Sequence, residues 1–207
     1  MASKGQELQA RERLLRAASE LFYRDGISAT GVDALTERAN VAKATFYRHF
    51  PSKDDLVLAW LREPDARWLD LVIAELERTV ESPLGRLLAF WDVLGNWLEE
   101  RGFIGCPFVN SLLEIRVENA PARGKIESYV HEVEGYFART AAAAGFEDPE
   151  ELGRRLRYLA LGMFVGTRLE LSRRPIETAR ASTVDHLAVW LGTTPDEVEQ
   201  RIVDGPN

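Results

Sequence analysis

From Leu8 to Arg24 the chain places Leu14, Leu15, Ala18, Leu21 and Phe22 at spacings of three and four, with polar residues between them. That is the period of a helix burying one face, and Gly26 supplies its stop. Thr30 stands where an N-cap belongs. Asp33 follows it at the spacing of a capping box, before a short helix with Val32, Leu35 and Ala39 on one side. Asn40, a residue that tolerates the left-handed conformation, marks a turn, and a third helix is predicted over "VAKATFYRHF" up to Pro51. Val41, Phe46 and Phe50 fall on its inner side, Lys43, Ala44, Tyr47 and Arg48 on its outer side. Ser52 caps a fourth helix whose first turn carries two acids, with a stop near Pro64.

The remaining pattern is also helical. "DARWLDLVIAELERTVE" is amphipathic, and Ser82-Pro83 is a cap followed by proline at the first helical position. The helix it opens carries two apolar stripes, Leu84, Leu88, Trp91, Leu98 and Leu87, Phe90, Leu94, Trp97, so it is expected to be surrounded. Ile126, Val130, Val133, Phe137 and Ala141 form the next stripe, ended by Gly145. Asp148-Pro149 opens another helix, "IETARASTVDHLAVWLG" is the last long one, and "TPDEVEQRIV" makes a short terminal helix. Helices joined by short links define an all-α bundle.

Charge changes this picture in one place. The chain has a formal net charge of -7, yet residues 1–62 hold ten basic and eight acidic residues, a net of +2 against -9 for the rest. The segment "VAKATFYRHFPSK" carries Lys43, Arg48, His49 and Lys53 and no acid. A basic module on an acidic chain meets a polyanion by one face only. Two short helices joined by a tight turn and braced by a longer one are the plan of a helix-turn-helix, whose second helix enters the DNA major groove. With no run of eighteen apolar residues and a charged N-terminal segment, neither a membrane span nor a secretory signal is expected, and the location expected is cytoplasmic.

Over about residues 10 to 62 the chain resembles the N-terminal signature of the TetR/AcrR family of transcriptional repressors. The features run in order: an aromatic at the end of the first helix, Gly26, Thr30, Ala39-Asn40-Val41, Thr45-Phe46-Tyr47, His49-Phe50 and Ser52-Lys53. The family usually has Gly where Asn40 stands, and Lys43 puts a long charged arm where many relatives carry a small residue. The resemblance implies a homodimer with two helix-turn-helix heads (residues 1–62) on a palindromic double-stranded operator. It also implies a helical domain (63–207) that binds a small-molecule effector and changes the spacing of the heads. By the same resemblance Thr30, Tyr47, His49 and Lys53 match positions that grip phosphates, and Lys43, Ala44 and Thr45 match positions facing base edges. The dimer contact it implies uses helices at about 148–172 and 175–192, where Gly162, Gly166, Ala181, Val184, Ala188 and Leu191 make stripes of small and apolar residues. Gly105, Cys106 and Asn110 resemble a pattern seen in some members.

Aromatic richness beyond residue 63 suits an apolar effector pocket, with Trp91, Phe108, Tyr129, Tyr136 and Met163 as lining and Asn110 and Arg168 as polar handles. Arg168, inside an apolar run, is expected to face a carboxylate or an anionic ligand. No cofactor or catalytic residue is expected, since phosphate loops, nucleophile elbows and zinc-protease motifs are missing from the sequence. Glu127, His131 and Glu134 share a helix face but are read as a solvated surface rather than a metal site. Cys106, the one cysteine, has two readings. It is a small buried hydrophobe, or, at the start of a helix between Gly105 and Pro107, an activated thiol that would make the protein an electrophile or redox sensor.

Overall fold

The computed structural model describes residues 4–63, 67–115 and 120–203, which form helices and no strand. Helix α1 (Lys4–Asp25) ends where the chain turns left-handed at Gly26, φ +88°. Helix α2 (Val32–Ala39) ends at Asn40, φ +51° and ψ +55°, the conformation anticipated there. Helix α3 (Lys43–His49) follows, and α4 (Lys53–Trp60) is capped by Ser52, whose hydroxyl accepts from the Asp55 N–H at 3.1 Å. The stop expected at Pro64 lies outside the described residues.

Thr30 is not the cap of α2. Gly31 takes that position without any side-chain cap bond. Thr30 is buried, and its hydroxyl donates to the Gly26 carbonyl at 2.7 Å. A carbonyl just past the end of α1 has no helical partner, so an inward hydroxyl is better used there than on a helix start that water can satisfy.

Two compact units are distinguished. The first comprises residues 1–67 together with 106–128, and therefore includes α7 (Pro107–Glu114) and the beginning of α8 (Ala120–Ala143) besides the four N-terminal helices. Its core is Leu14, Leu21, Phe22, Leu35, Phe46, Leu56 and Trp60, all nearly or fully buried, with Trp60 edge-on to Phe22 at 5.2 Å.

The second unit holds α5 (Trp68–Thr79), α6 (Pro83–Glu99), the rest of α8, α9 (Pro149–Glu170), α10 (Arg174–Leu191) and α11 (Pro195–Val203). Helix α6 is buried on both stripes except at Leu84, which is half-buried, and Phe90 lies against Trp68, Trp91, Tyr136 and Phe137. Aromatic pairs of this kind add about 0.5–1.5 kcal/mol each beyond area burial. The cross-helix approaches rest on glycines: a Cβ on Gly153 would lie 2.9 Å from the Ala138 nitrogen, and one on Gly166 3.0 Å from Pro175 Cβ. Gly166 thus serves α9 against α10, not an outer face. Val184 and Ala188 are likewise buried inside the unit, whereas Gly162 has open space around it and Ala181 is exposed. The stripe read from sequence mixed two faces, because Val184 and Ala188 lie on the side of α10 opposite to the exposed residues.

Candidate nucleic-acid interface

The short helix α3 is held by its apolar side. Phe46 and Phe50 are buried with rings 6.1 Å apart, and the Arg11 guanidinium lies over the Phe50 ring at 5.6 Å. Burying two such side chains stabilises the unit by about 1.5–3 kcal/mol each. The opposite side is open: Lys43, Ala44, Tyr47 and Arg48 are exposed, and Thr45 is half-buried. The helix, fixed from behind, therefore presents a basic and aromatic face to solvent.

Electrostatics on this face are not uniform. Lys43 Nζ pairs with Asp33 Oδ1 of α2 at 2.7 Å, both side chains being exposed. The hydrogen bond to Asp33, and then the charge attraction, raise the Lys43 ammonium pKa above its ordinary value. Asp33 thus engages the cation at the start of α3, a role the sequence pattern of a capping box did not suggest.

Around α2 the side chains turn inward. Lys53 donates from Nζ to the Ile27 carbonyl at 2.9 Å and to the Thr30 carbonyl at 3.2 Å, tying α4 to the α1–α2 connection. Ser28 donates its backbone N–H to Glu114 Oε2 at 2.7 Å, across 86 residues of sequence. Gly26 permits this approach, since a Cβ there would lie 2.8 Å from the same oxygen. His49 is half-buried, with Nε2 enclosed and without a hydrogen-bond partner. Of the seven residues assigned to DNA, Lys43, Ala44 and Tyr47 lie open on α3, Thr45 and His49 are half-buried, and Thr30 and Lys53 make internal bonds. Asp33 and Glu114 carry no local sequence signal for their roles, because each acts on a residue in another helix or loop.

The effector candidates are divided between the units. Phe108, fully buried, and Asn110, half-buried, belong to the first. Trp91, Tyr129, Tyr136, Met163 and Arg168 belong to the second. Trp91, Tyr129, Tyr136 and Met163 are buried, and the Tyr129 hydroxyl accepts from the Leu69 N–H at 2.7 Å. Trp91 Nε1 and the Tyr136 hydroxyl are enclosed with no hydrogen-bond partner, and burial pushes the Tyr136 phenol up to about 12. Arg168 departs from expectation: it is exposed and donates to the Ile104 carbonyl at 2.9 Å, because its position on α9 faces outward rather than along the apolar stripe. Glu134 pairs with Arg157 at 2.6 Å and Glu127 with Arg123 at 3.1 Å, so both carboxylates of the candidate metal face are committed to arginines. Cys106 is buried at the N-cap of α7. No helix among the described residues is long and apolar enough to cross a membrane.

Comparison with known proteins agrees with this geometry. The family model described as "Bacterial regulatory proteins, tetR family" matches residues 14–60, which is α1 from its middle through α4. The HTH-type transcriptional regulator TcmR of Streptomyces glaucescens is 32% identical over 140 residues, 65% of this chain and 60% of that protein. The HTH-type transcriptional repressor NemR of Escherichia coli K12 is 25% identical over 195 residues, 90% of this chain and 98% of that one. The crystal structure of SCO4454, a TetR-family transcriptional regulator from Streptomyces coelicolor, superposes with a TM-score of 0.74 at 27% identity, covering 84% of this chain and 96% of that one. The helix-turn-helix over residues 14–60 matches the tetR family of bacterial regulatory proteins, and the helical architecture of the described residues and these likenesses make this chain similar to TetR-family transcriptional regulators.

Proposed function

We propose that this chain is a one-component repressor that binds a palindromic operator as a homodimer and leaves it when a small molecule binds. Residues 1–62 serve as the DNA-binding domain and 63–207 as the ligand-binding and dimerisation domain. The observation that carries the reading is the exposed Lys43, Ala44, Tyr47 and Arg48 face on a helix locked from behind by Phe46 and Phe50. Lys43, Ala44 and Thr45 are assigned to base edges, and Thr30, Tyr47, His49 and Lys53 to phosphates, Thr30 and Lys53 largely by holding the backbone at the start of α2.

Dimerisation is assigned to the outer faces of α9 and α10. Tyr158, Val165 and Leu169 are 54–82% exposed along α9 with Gly162 between them, and Val189 is 79% exposed on α10. An apolar stripe of this length on a soluble helix pair fits a second copy of itself. The effector is assigned to the aromatic cluster of the second unit. Trp91 Nε1–H and the Tyr136 hydroxyl, buried without partners, favour a ligand with hydrogen-bond acceptors on an apolar body. NemR is named a repressor, which supports repression over activation.

A thiol-sensing reading ranks second. Cys106 at the helix start supports it, and burial of the residue, 2% exposed, weighs against it. The test of the main reading is titration of the purified protein against duplexes from its own promoter region at several salt concentrations. Affinity that falls steeply with salt is expected. Salt-insensitive binding, or none to any such fragment, refutes it.

A further inference from the structure

The connection between α1 and α2 is six residues long, 26–31, and side chains from three places hold its backbone. Thr30 donates to the Gly26 carbonyl, Lys53 donates to the Ile27 and Thr30 carbonyls, and Glu114 accepts from the Ser28 N–H. Thr30 and Lys53 are neighbours in the helix-turn-helix itself. Glu114 is not: it ends α7, in the segment 106–128 by which the chain returns to the first unit after α5 and α6. The Ser28 hydroxyl lies 3.4 Å from the Glu114 backbone carbonyl, so the side chain and main chain of one residue face the same turn. Gly26 is required by its positive φ, and a Cβ there would have to displace the Glu114 carboxylate.

We infer that Glu114 is a positioning residue for DNA binding: its carboxylate fixes the Gly26–Thr30 turn and thereby the N-terminus of α2 and the carbonyls to which Lys53 is anchored. The inference rests on the DNA-binding reading above. A carboxylate accepting a backbone N–H is among the stronger neutral-to-charged hydrogen bonds, and without it the Ser28 amide loses its partner while Lys53 holds a turn free to shift. The α7 helix is in this sense part of the DNA-binding apparatus although it lies outside the helix-turn-helix sequence.

Position and charge make opposite predictions, which is what makes the inference testable. If Glu114 acted only as a negative charge near a polyanion, removing it would strengthen binding, and Glu114→Ala and Glu114→Gln would do so equally. A positioning role predicts about tenfold weaker operator binding for Glu114→Ala, while Glu114→Gln, whose amide oxygen still accepts from Ser28, stays within about threefold of the parent. Amide hydrogen exchange without DNA supplies the second readout. Exchange at residues 26–31 should quicken in Glu114→Ala and not in Glu114→Gln, with the core of α1 still protected. Quickened exchange with weakened binding in the alanine variant, and rescue of both by glutamine, supports the inference. Unchanged exchange, or binding more than about threefold tighter by either variant, overturns it. Failure of the parent protein to bind any promoter fragment overturns the DNA-binding reading instead, and the exchange result still decides whether Glu114 holds the turn.

Discussion

Two glycines four residues apart on α9 should respond to the same substitution with opposite signs. Gly166 meets Pro175 of α10, whose Cβ and Cγ would lie 3.0 and 3.1 Å from an added Cβ, and a leucine there would drive three further carbons into the same ring. Proline cannot swing aside as a flexible side chain can, so α9 and α10 must separate. Overpacking of this kind costs about 1–3 kcal/mol. At about 2–4 °C per kcal/mol for a chain of this size, Gly166→Leu should lower the melting temperature by roughly 2–12 °C. Gly162 has nothing within 4 Å of an added Cβ, and replacing a helix-interior glycine gains up to about 1 kcal/mol of helix propensity. Gly162→Leu should therefore leave the subunit folded and at least as stable, while its side chain stands in the face assigned to the second copy. Sedimentation at micromolar concentration and thermal melts followed by circular dichroism measure both effects. A Gly162→Leu protein that dimerises like the parent refutes the assignment of that face. A Gly166→Leu protein that melts like the parent refutes the packing argument.

Asp33→Asn should free Lys43 and tighten operator binding by up to about fivefold, as expected for loss of one exposed competing ion pair; fluorescence anisotropy showing weaker binding would exclude competition. Cys106→Ser is expected to keep both DNA binding and release by the effector, and the native thiol to react more slowly than free cysteine; a faster reaction coupled to DNA release that the variant abolishes would promote the thiol-sensing reading. Arg180 holds Glu199 of α11 through two hydrogen bonds, at 2.6 and 2.9 Å, and that bond first, then the Arg180 charge, lowers the Glu199 pKa. A depressed carboxylate pKa contributes stability that is present above its ordinary value and lost as pH falls through the lowered one. Exchange protection of α11 should thus persist at neutral pH and disappear below the usual carboxylate range, a loss that Glu199→Gln should bring to neutral pH; protection independent of both would show that α11 docks without this ion pair, through apolar burial such as that of Val198, which is fully buried.

Local sequence was enough for most of the helices, since their signals act within a few residues. The Ser52, Ser82 and Asp148 caps each accept from the N–H three residues on, and Asn40 takes the left-handed turn. Such bonds form wherever the segment is helical. The cap of α2 was misread because the Thr30 hydroxyl had a choice: its own helix start, or a carbonyl at the end of α1. Only packing of Thr30 into the unit selects the second.

The same distinction separates what the residues announce from what the tertiary structure decides at the site. Periodicity alone placed Phe46 and Phe50 inward and Lys43, Ala44, Tyr47 and Arg48 outward, because a helix fixes which of its own residues share a face. Which glycine of α9 meets a neighbour, which carboxylate takes the Ser28 amide and which acid holds Lys43 depend on how one helix is rotated and shifted against another. Those quantities are set by the sum of many side-chain contacts, so Glu114 meets Ser28 and Arg168 turns to Ile104 without any pattern in their own segments announcing it.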